Sequence, residues 1–410
     1  MGWLGLDDTD HLGGGCTTWT MQQLISSLPT GTGVVGDPCL VRLYPMTKAR
    51  TRGNAALAVE INVDLPAPAW HAWLEQHWRE HLAELRGLWT PSTHASRTQV
   101  PSDPGMVWFD SKPPPAFYRM AVSEEVRVDE APLATWSAGG RGIIGATAAV
   151  AWPQEVSTWE GIAWRQRHEG PRRLDDAVLG RLDDDRRLVA CRDPRKGRSL
   201  LAPRGASPIL FGLRGTERFA VQQGVQDLLK AEGTEQAAAW CIFQTNQGSG
   251  DHLLPAVEAV VQDVHILRGG HVALDTTEGT WLAFAPSDDL RRLAAELVAG
   301  DVVQGLGLIS HEESQKGLHL EALNHVSGPD RNKMRPLCPT CNIRMKSSGR
   351  NQGLRCPSCP HQDIDRWVGT PVAPSGWVQP PLDRRRHLMP DLRESRANRL
   401  INGADSPASS

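Results

Sequence analysis

The sequence predicts a multidomain α+β chain. Three observations carry that expectation. The first eighteen residues read as a strand, an acidic glycine-rich turn and the start of a helix. Strand-like and helix-like apolar runs then interleave as far as Leu308. Two close cysteine pairs, Cys338 with Cys341 and Cys356 with Cys359, follow near the C-terminus.

Trp3-Leu4-Gly5-Leu6 is a short apolar run of strand character, and Trp19, Met21, Leu24, Ile25 and Leu28 recur at helical spacing. Between them stand Asp7, Asp8 and Asp10, then Gly13, Gly14 and Gly15, then Thr17 and Thr18. Carboxylates crowded at a strand end repel one another unless a cation lies among them. Mg2+ suits them, because it takes hard oxygen ligands and keeps positions for phosphate oxygens. The glycines permit close backbone approach, and a following helix N-terminus offers N–H groups to an anion. The stretch therefore predicts a nucleoside-triphosphate site, with Thr17 and Thr18 where a phosphate is held. An acidic helix cap would give the same local pattern. A Walker loop is excluded, since no Gly-Lys-Ser or Gly-Lys-Thr follows the glycines.

Val41 to Tyr44 and Ala56 to Val63 predict strands. Lys48, Arg50 and Arg52, closed by Gly53-Asn54, form a compact basic loop between them. Facing the acidic turn, it would hold triphosphate or an RNA backbone; alone, it would be a solvated turn. Trp70 to Leu88 predicts an amphipathic helix. Pro101 to Pro115 holds five prolines and reads as a boundary or a rigid active-site loop. Met120 to Val128 reads as a strand. The small residues of Gly139 to Val150 suit a helix packed closely on a sheet. Thr158 to Arg165 alternates like a strand, the runs at 200–203 and 208–215 complete an α+β pattern, and Val221 to Lys230 predicts a helix. Helices interleaved with antiparallel strands suggest a ferredoxin-like layer. Trp240 to Asn246, Val257 to Val264, Gly270 to Leu274 and Trp281 to Phe284 are strand-like. A helix over Leu290 to Val298 precedes Asp301 to Leu308. That order suggests a small oligonucleotide-binding (OB-fold) barrel, or another small antiparallel barrel.

Two Cys-x-x-Cys knuckles separated by fourteen residues predict a tetrahedral Zn2+ ribbon. Four thiolates close the site, so its role is structural, and the metal contributes on the order of 10 kcal/mol to folding so small a unit. Lys346, Arg350 and Arg355 between the knuckles suit RNA contact. The remaining cysteines are scattered, which suits a reducing, cytoplasmic setting. No apolar run reaches the roughly 18 residues that cross a bilayer, and no signal peptide begins the chain. The net charge is −3, yet residues 331–400 carry 14 Lys and Arg against 5 Asp and Glu. An acidic body with a basic end suits a protein that grips a polyanion at one end. The arginines after Asp383 read as a solvated tail, disordered from Pro371 onward.

Gly5-Leu6-Asp7-Asp8-Thr9-Asp10 with Cys16-Thr17-Thr18 resembles the N-terminal signature of archaeal tRNA(isoleucine) 2-agmatinylcytidine synthetases. Arg50 to Ala56, Gly140 to Ala146, Thr158 to Arg165, Ala202-Pro203, Phe211 to Gly215, Thr245 to Gly248 and the four cysteines are similar to that family in the same order. His11, Gly15, Ala49 and Arg50 depart from the family pattern. The resemblance implies an unusual kinase-like domain, a ferredoxin-like domain, an OB-fold and a zinc ribbon. They are expected at 1–118, 119–228, 229–328 and 329–368, with a disordered tail over 369–410.

It further implies ATP-dependent ligation of agmatine to the wobble cytidine of the CAU-anticodon isoleucine tRNA, through a base phosphorylated at its 2-oxo position. No membrane and no obligate protein partner is expected. Asp7, Asp8 and Asp10 would hold Mg2+ and the ATP phosphates. Thr17 would be the autophosphorylated residue, with Thr18 beside it. Gly13, Gly14, Arg50, Arg52 and Asn54 would contact phosphate or base. Glu160 and Asp110 are the candidate carboxylates for the agmatine guanidinium. The competing readings are a non-catalytic tRNA- or single-strand-binding protein with a vestigial ATP domain, and an RNA-stimulated kinase that ligates no amine.

Overall fold

The computed structural model describes residues 1–51, 53–90, 99–166, 170–193, 197–203, 205–310, 316–329, 335–349, 352–364, 376–389 and 391–392. The chain divides into two compact units. One is formed by Met1–His252 with His387–Met389, and the other is built from Leu253 to Arg386.

The first unit is organised on one sheet of nine strands. In chain order these are β1 (Gly2–Asp7), β2 (Thr32–Arg42), β3 (Ala55–Val63), β4 (Gly105–Phe109), β5 (Trp136–Gly139), β6 (Thr158–Arg165), β7 (Leu188–Val189), β8 (Ile209–Gly215) and β9 (Ala237–Thr245). Their order across the sheet is β5-β4-β1-β3-β2-β9-β6-β8-β7. Every neighbouring pair is antiparallel except β2 with β9, which run parallel with Cys39 opposite Gln244 and Leu40 opposite Thr245. Among the described residues, six α-helices cover the faces: α1 (Thr17–Ser26), α2 (Ala67–His77), α3 (Pro115–Ser123), α4 (Gly142–Ala151), α5 (Asp176–Asp184) and α6 (Arg218–Lys230).

Alternation along β1 decides which layer goes where. Leu4 and Leu6 point into a core with Met21 and Leu24 of α1 and Trp70 and Leu74 of α2. Trp3 packs on the opposite core with α3 and α4. Gly5 faces that side too, and an added Cβ there would lie 2.9 Å from the Ala146 carbonyl carbon. The small residues of α4 thus let a helix lie directly on the sheet, as the sequence pattern suggested.

Several expectations are corrected. Met120 to Val128 is not a strand: Phe117, Tyr118, Ala121 and Val122 are spaced for a buried helical face, and α3 ends at Ser123. The proline-rich stretch from Pro101 contains β4, buried along its whole length. The helix expected over 70–88 runs as α2 only to His77, then widens through Trp78–Leu82 and ends in a tight turn at Ala83–Leu85. The run around Trp240 was grouped with the third domain, but as β9 it bridges β2 and β6 in the first sheet.

The second unit holds β10 (Val257–Ile266), β11 (Val272–Thr276), β12 (Gly279–Ala283), α7 (Asp289–Glu296), β13 (Val302–Ser310) and β14 (Gly317–Ser327). A parallel pairing of Trp281 with Leu318 joins β12 to β14 and closes five strands on themselves around Trp281. Three short strands, β15 (Lys346–Ser347), β16 (Leu354–Arg355) and β17 (Gln362–Asp363), carry the cysteine knuckles. The expected disorder after Pro371 is corrected over residues 376–389 and 391–392, and the rest of the expected tail lies outside the described residues. β18 (Gly376–Val378) pairs with β14, and Val378 fills the barrel core. Arg386, expected to be a solvated arginine, is the counter-ion of the buried Glu321. Met389 and Leu392 are buried.

Candidate active site

β1 delivers the acidic turn into a cavity of about 350 Å3 in the first unit. Asp7 ends the strand, and Asp8 takes a left-handed backbone at φ +57° that few non-glycine residues adopt. The chain closes a small hairpin from His11 to Gly14. Gly15 follows at φ +72°, with only 3.2 Å between an added Cβ and the Thr9 carbonyl. α1 then begins at Thr17, as the sequence suggested.

Asp7, Asp8 and Asp10 line one wall of the cavity. The β2–β3 loop, including Lys48, Arg50 and Asn54, lines another. The loop is tied to the turn, since the Thr51 hydroxyl donates to the Asp10 carbonyl at 3.3 Å. Arg50 donates to the Thr47 carbonyl at 2.6 Å, and Asn54 to the Tyr44 carbonyl at 2.9 Å. The remaining walls come from Glu124 and Glu125 beyond α3, and from Arg141 and Gly145 at the start of α4. Sequence reasoning missed these four as site residues. The one available signal was Arg141 inside the glycine-rich run.

Burial pushes the Asp7 carboxyl well above its usual range, and the neighbouring Asp8 adds to it. Burial likewise raises Asp8 to about 6, against the opposing pull of the Arg141 guanidinium. Arg141 Nη2 stands 2.5 Å from Asp8 Oδ2. Asp7 has no ion-pair partner among the described residues, and its carboxylate is pressed against Gly145. Oxygen donors with this little compensation form a fitting donor set for a hard divalent cation.

Four expected site residues do not line the cavity. Gly13 and Gly14 belong to the hairpin, where the Gly13 N–H donates to His11 Nδ1 at 3.2 Å. Thr17 and Thr18 are buried in the first turn of α1. The Thr18 hydroxyl is engaged by Cys16 Sγ at 2.9 Å and by Trp164 Nε1 at 3.3 Å. Arg52 and Arg350 lie outside the described residues.

The two candidate carboxylates for agmatine already have partners within the chain. Glu160 is not free to receive a guanidinium, because two already share it: Arg214 Nε at 3.1 Å and Arg42 Nη2 at 3.6 Å. Gln247 Nε2 donates to the same carboxylate at 2.5 Å. Burial alone would raise the Glu160 pKa, but Arg214, Arg42 and Gln247 bring it below the usual carboxylate range. Asn246 brackets the Arg42 backbone, accepting from its N–H at 2.7 Å and donating to its carbonyl at 2.9 Å. Asp110 accepts from Trp108 at 3.0 Å and from Thr135 at 3.1 Å, away from the cavity wall.

The second unit holds a separate metal-binding constellation. One sulfur from each of Cys338, Cys341, Cys356 and Cys359 lies within 4.8 Å of all the others. Each knuckle is held by backbone bonds, from Cys338 N–H to Ile343 O at 2.8 Å and from Cys356 N–H to His361 O at 2.9 Å. Four soft sulfurs at this separation fit tetrahedral zinc.

Three family models match the chain: the TiaS TCKD domain over residues 3–64, the TiaS FLD domain over 140–252 and the TiaS C-terminal zinc ribbon domain over 335–367. The chain is 30% identical to TiaS of Methanosarcina mazei, a 2-agmatinylcytidine synthetase for the second isoleucine tRNA. That match covers 98% of this chain and 99% of the relative. It is 32% identical to the TiaS of Pyrobaculum neutrophilum, which bears the same description, covering 95% of each. Among solved structures it resembles the complex of TiaS with that isoleucine tRNA and ATP, with a TM-score of 0.71 at 26% identity. That likeness spans 96% of this chain and 97% of the other.

Proposed function

The chain belongs to the TiaS family of isoleucine-tRNA 2-agmatinylcytidine synthetases, and on that premise we propose that it joins agmatine to the wobble cytidine of the CAU-anticodon isoleucine tRNA at the expense of ATP. One observation carries the assignment to this chain's own residues. Asp7, Asp8 and Asp10 converge with Lys48, Arg50 and Arg141 on a single cavity, which is the mixture of carboxylates and cations that a metal–triphosphate complex requires.

Asp7, Asp8 and Asp10 would hold Mg2+. When bound, the ion neutralises phosphate charge and orients the terminal phosphoryl group. The 2-oxo group of cytosine is a poor leaving group, and its phosphorylation lets the amine of agmatine displace it at C2. The base reaches the cavity only if it is flipped out of the anticodon stack. Thr17 is the better candidate for the autophosphorylated residue, because the Thr18 hydroxyl is engaged by Cys16 and Trp164.

Residues 1–118 are read as the kinase-like part. The ferredoxin-like part follows and takes in β9. The closed barrel of the second unit is read as an OB-fold that holds tRNA together with the zinc ribbon. The setting is cytoplasmic.

The test is mass spectrometry of the tRNA after incubation with ATP, Mg2+ and agmatine. A cytidine carrying agmatine at the wobble position is expected, and Asp8→Ala should abolish it while tRNA affinity stays near the parent's. Phosphate on the product without agmatine would indicate a kinase. No ATP turnover at all would indicate a tRNA-binding protein without chemistry.

A further inference from the structure

Asp8 is ion-paired with the Arg141 side chain. Arg141 Nη2 donates to Asp8 Oδ2 at 2.5 Å and to the Pro101 carbonyl at 3.0 Å. The Asp103 N–H shares the same Asp8 oxygen at 3.2 Å. The main chain of Arg141 is anchored separately. Its N–H donates to Asp103 Oδ2 at 2.8 Å, and Arg86 holds the other oxygen of Asp103 at 2.8 Å. The Cα of Arg141 is thus fixed at the start of α4. Its side chain, 30% exposed, stands on the cavity wall. Among the described residues no other ion pair reaches Asp8.

We propose that Arg141 is an exchangeable counter-ion. With no nucleotide bound, its guanidinium neutralises Asp8. As the metal–triphosphate complex enters, it yields that carboxylate to the divalent cation and turns to the phosphates. The planar fork of a guanidinium serves carboxylate and phosphate equally well. The fixed Cα lets the side chain swing without moving α4. The role rests on the cavity being the triphosphate site.

Mn2+ binding to the full chain, followed by electron paramagnetic resonance, tests it. The parent, Arg141→Ala and Arg141→Lys are compared without nucleotide and with a non-hydrolysable ATP analogue. Without nucleotide, Arg141→Ala should bind Mn2+ about fivefold more tightly, because a competing charge-assisted contact is gone. With the analogue, the same variant should bind the Mn2+–nucleotide complex at least about fivefold more weakly, having lost a phosphate contact. Arg141→Lys should fall between in both and guards against a misfolded alanine variant. The opposite signs are the signature. An arginine that only supports the fold would weaken both, and a counter-ion that never leaves Asp8 would tighten both; either result overturns the proposal. Mn2+ binding in the parent that Asp8→Ala leaves unchanged would overturn the reading of the cavity, and the role of Arg141 with it.

Discussion

Replacing Gly145 with alanine should remove ATP-dependent chemistry while leaving the fold in place. A methyl group at this position in α4 would stand 2.7 Å from Asp7 Cγ and 3.1 Å from Leu43 Cδ1, and it would overlap Asp7 Oδ2. Carbon atoms settle no closer than about 3.5 Å, so the Asp7 carboxyl carbon must retreat by roughly 0.8 Å and its overlapping oxygen Oδ2 by more. Its backbone cannot follow, because Asp7 sits opposite Gly105 in the β1–β4 ladder. The side chain must rotate off the cavity wall instead. A misplacement of about 1 Å can cost about a hundredfold in rate, or about 2.7 kcal/mol of barrier. Stability moves less, because alanine gains up to about 1 kcal/mol of helix propensity over glycine, which offsets part of the strain. ATP turnover with tRNA and agmatine, measured beside a thermal melt and a tRNA-binding titration, checks this. A variant that keeps more than about a tenth of parental turnover, less than 1.4 kcal/mol of barrier, would refute the packing argument.

Glu160→Gln should destabilise the first unit. Arg42 and Arg214 would face each other with no carboxylate between them, and breaking such a pair costs about 3–5 kcal/mol when fully buried. Their guanidinium side chains are 21% and 23% exposed, so about 2 kcal/mol is expected in urea unfolding; an unchanged midpoint would contradict it. Cys338→Ser should abolish zinc binding, seen by metal analysis, and open the segment around Met345 and Leu354 to protease. tRNA binding should weaken while basal ATP chemistry persists. Burial, aided by His81, lowers His77 to about 4, so the unfolded chain takes that proton first as pH falls. The contribution of His77 is therefore present above pH 6.5 and lost between pH 6.5 and 4, at most about 3 kcal/mol in all and less where solvent screens the ring. His77→Phe should flatten that part of the melting-temperature profile, and an identical slope in parent and variant would rule it out.

What could be read from the sequence was local. β1, the acidic turn and α1 form one continuous stretch, and strand and helix periods declare themselves within it. The cysteine knuckles are legible because chelation fixes their spacing. β6 was legible because Trp159, Ile162, Ala163 and Trp164 make one short apolar run of strand length. The apolar residues of α3 misled because Val126 and Val128, in the segment beyond, extend the run and imitate strand alternation. Glu124 and Glu125 were invisible as site residues, since only folding brings them to the cavity that Asp8 lines. Glu160 was recognised as a carboxylate that should meet a guanidinium. The partners are the chain's own Arg42 and Arg214, brought there by strands far apart in sequence.

The parallel seam explains why separate stretches of sequence serve one cavity. β2 and β9 meet at only two residue pairs, so the seam needs a second fastening. Asn246 supplies it by closing two hydrogen bonds on the Arg42 backbone, and its amide also donates to the Tyr118 hydroxyl at 2.9 Å. Arg42 ends β2, and the chain beyond it becomes the basic loop on the cavity wall. Its side chain turns to Glu160 on β6. The Thr245-to-Gly248 motif therefore acts through Arg42 on the loop that faces Asp10, without lining the cavity itself. Matches that end at residue 64 and resume at 140 omit the stretch that supplies Glu124 and Glu125. In physical terms the nine strands are one scaffold, and the acidic turn, the basic loop and the start of α4 keep their spacing because all three hang from it.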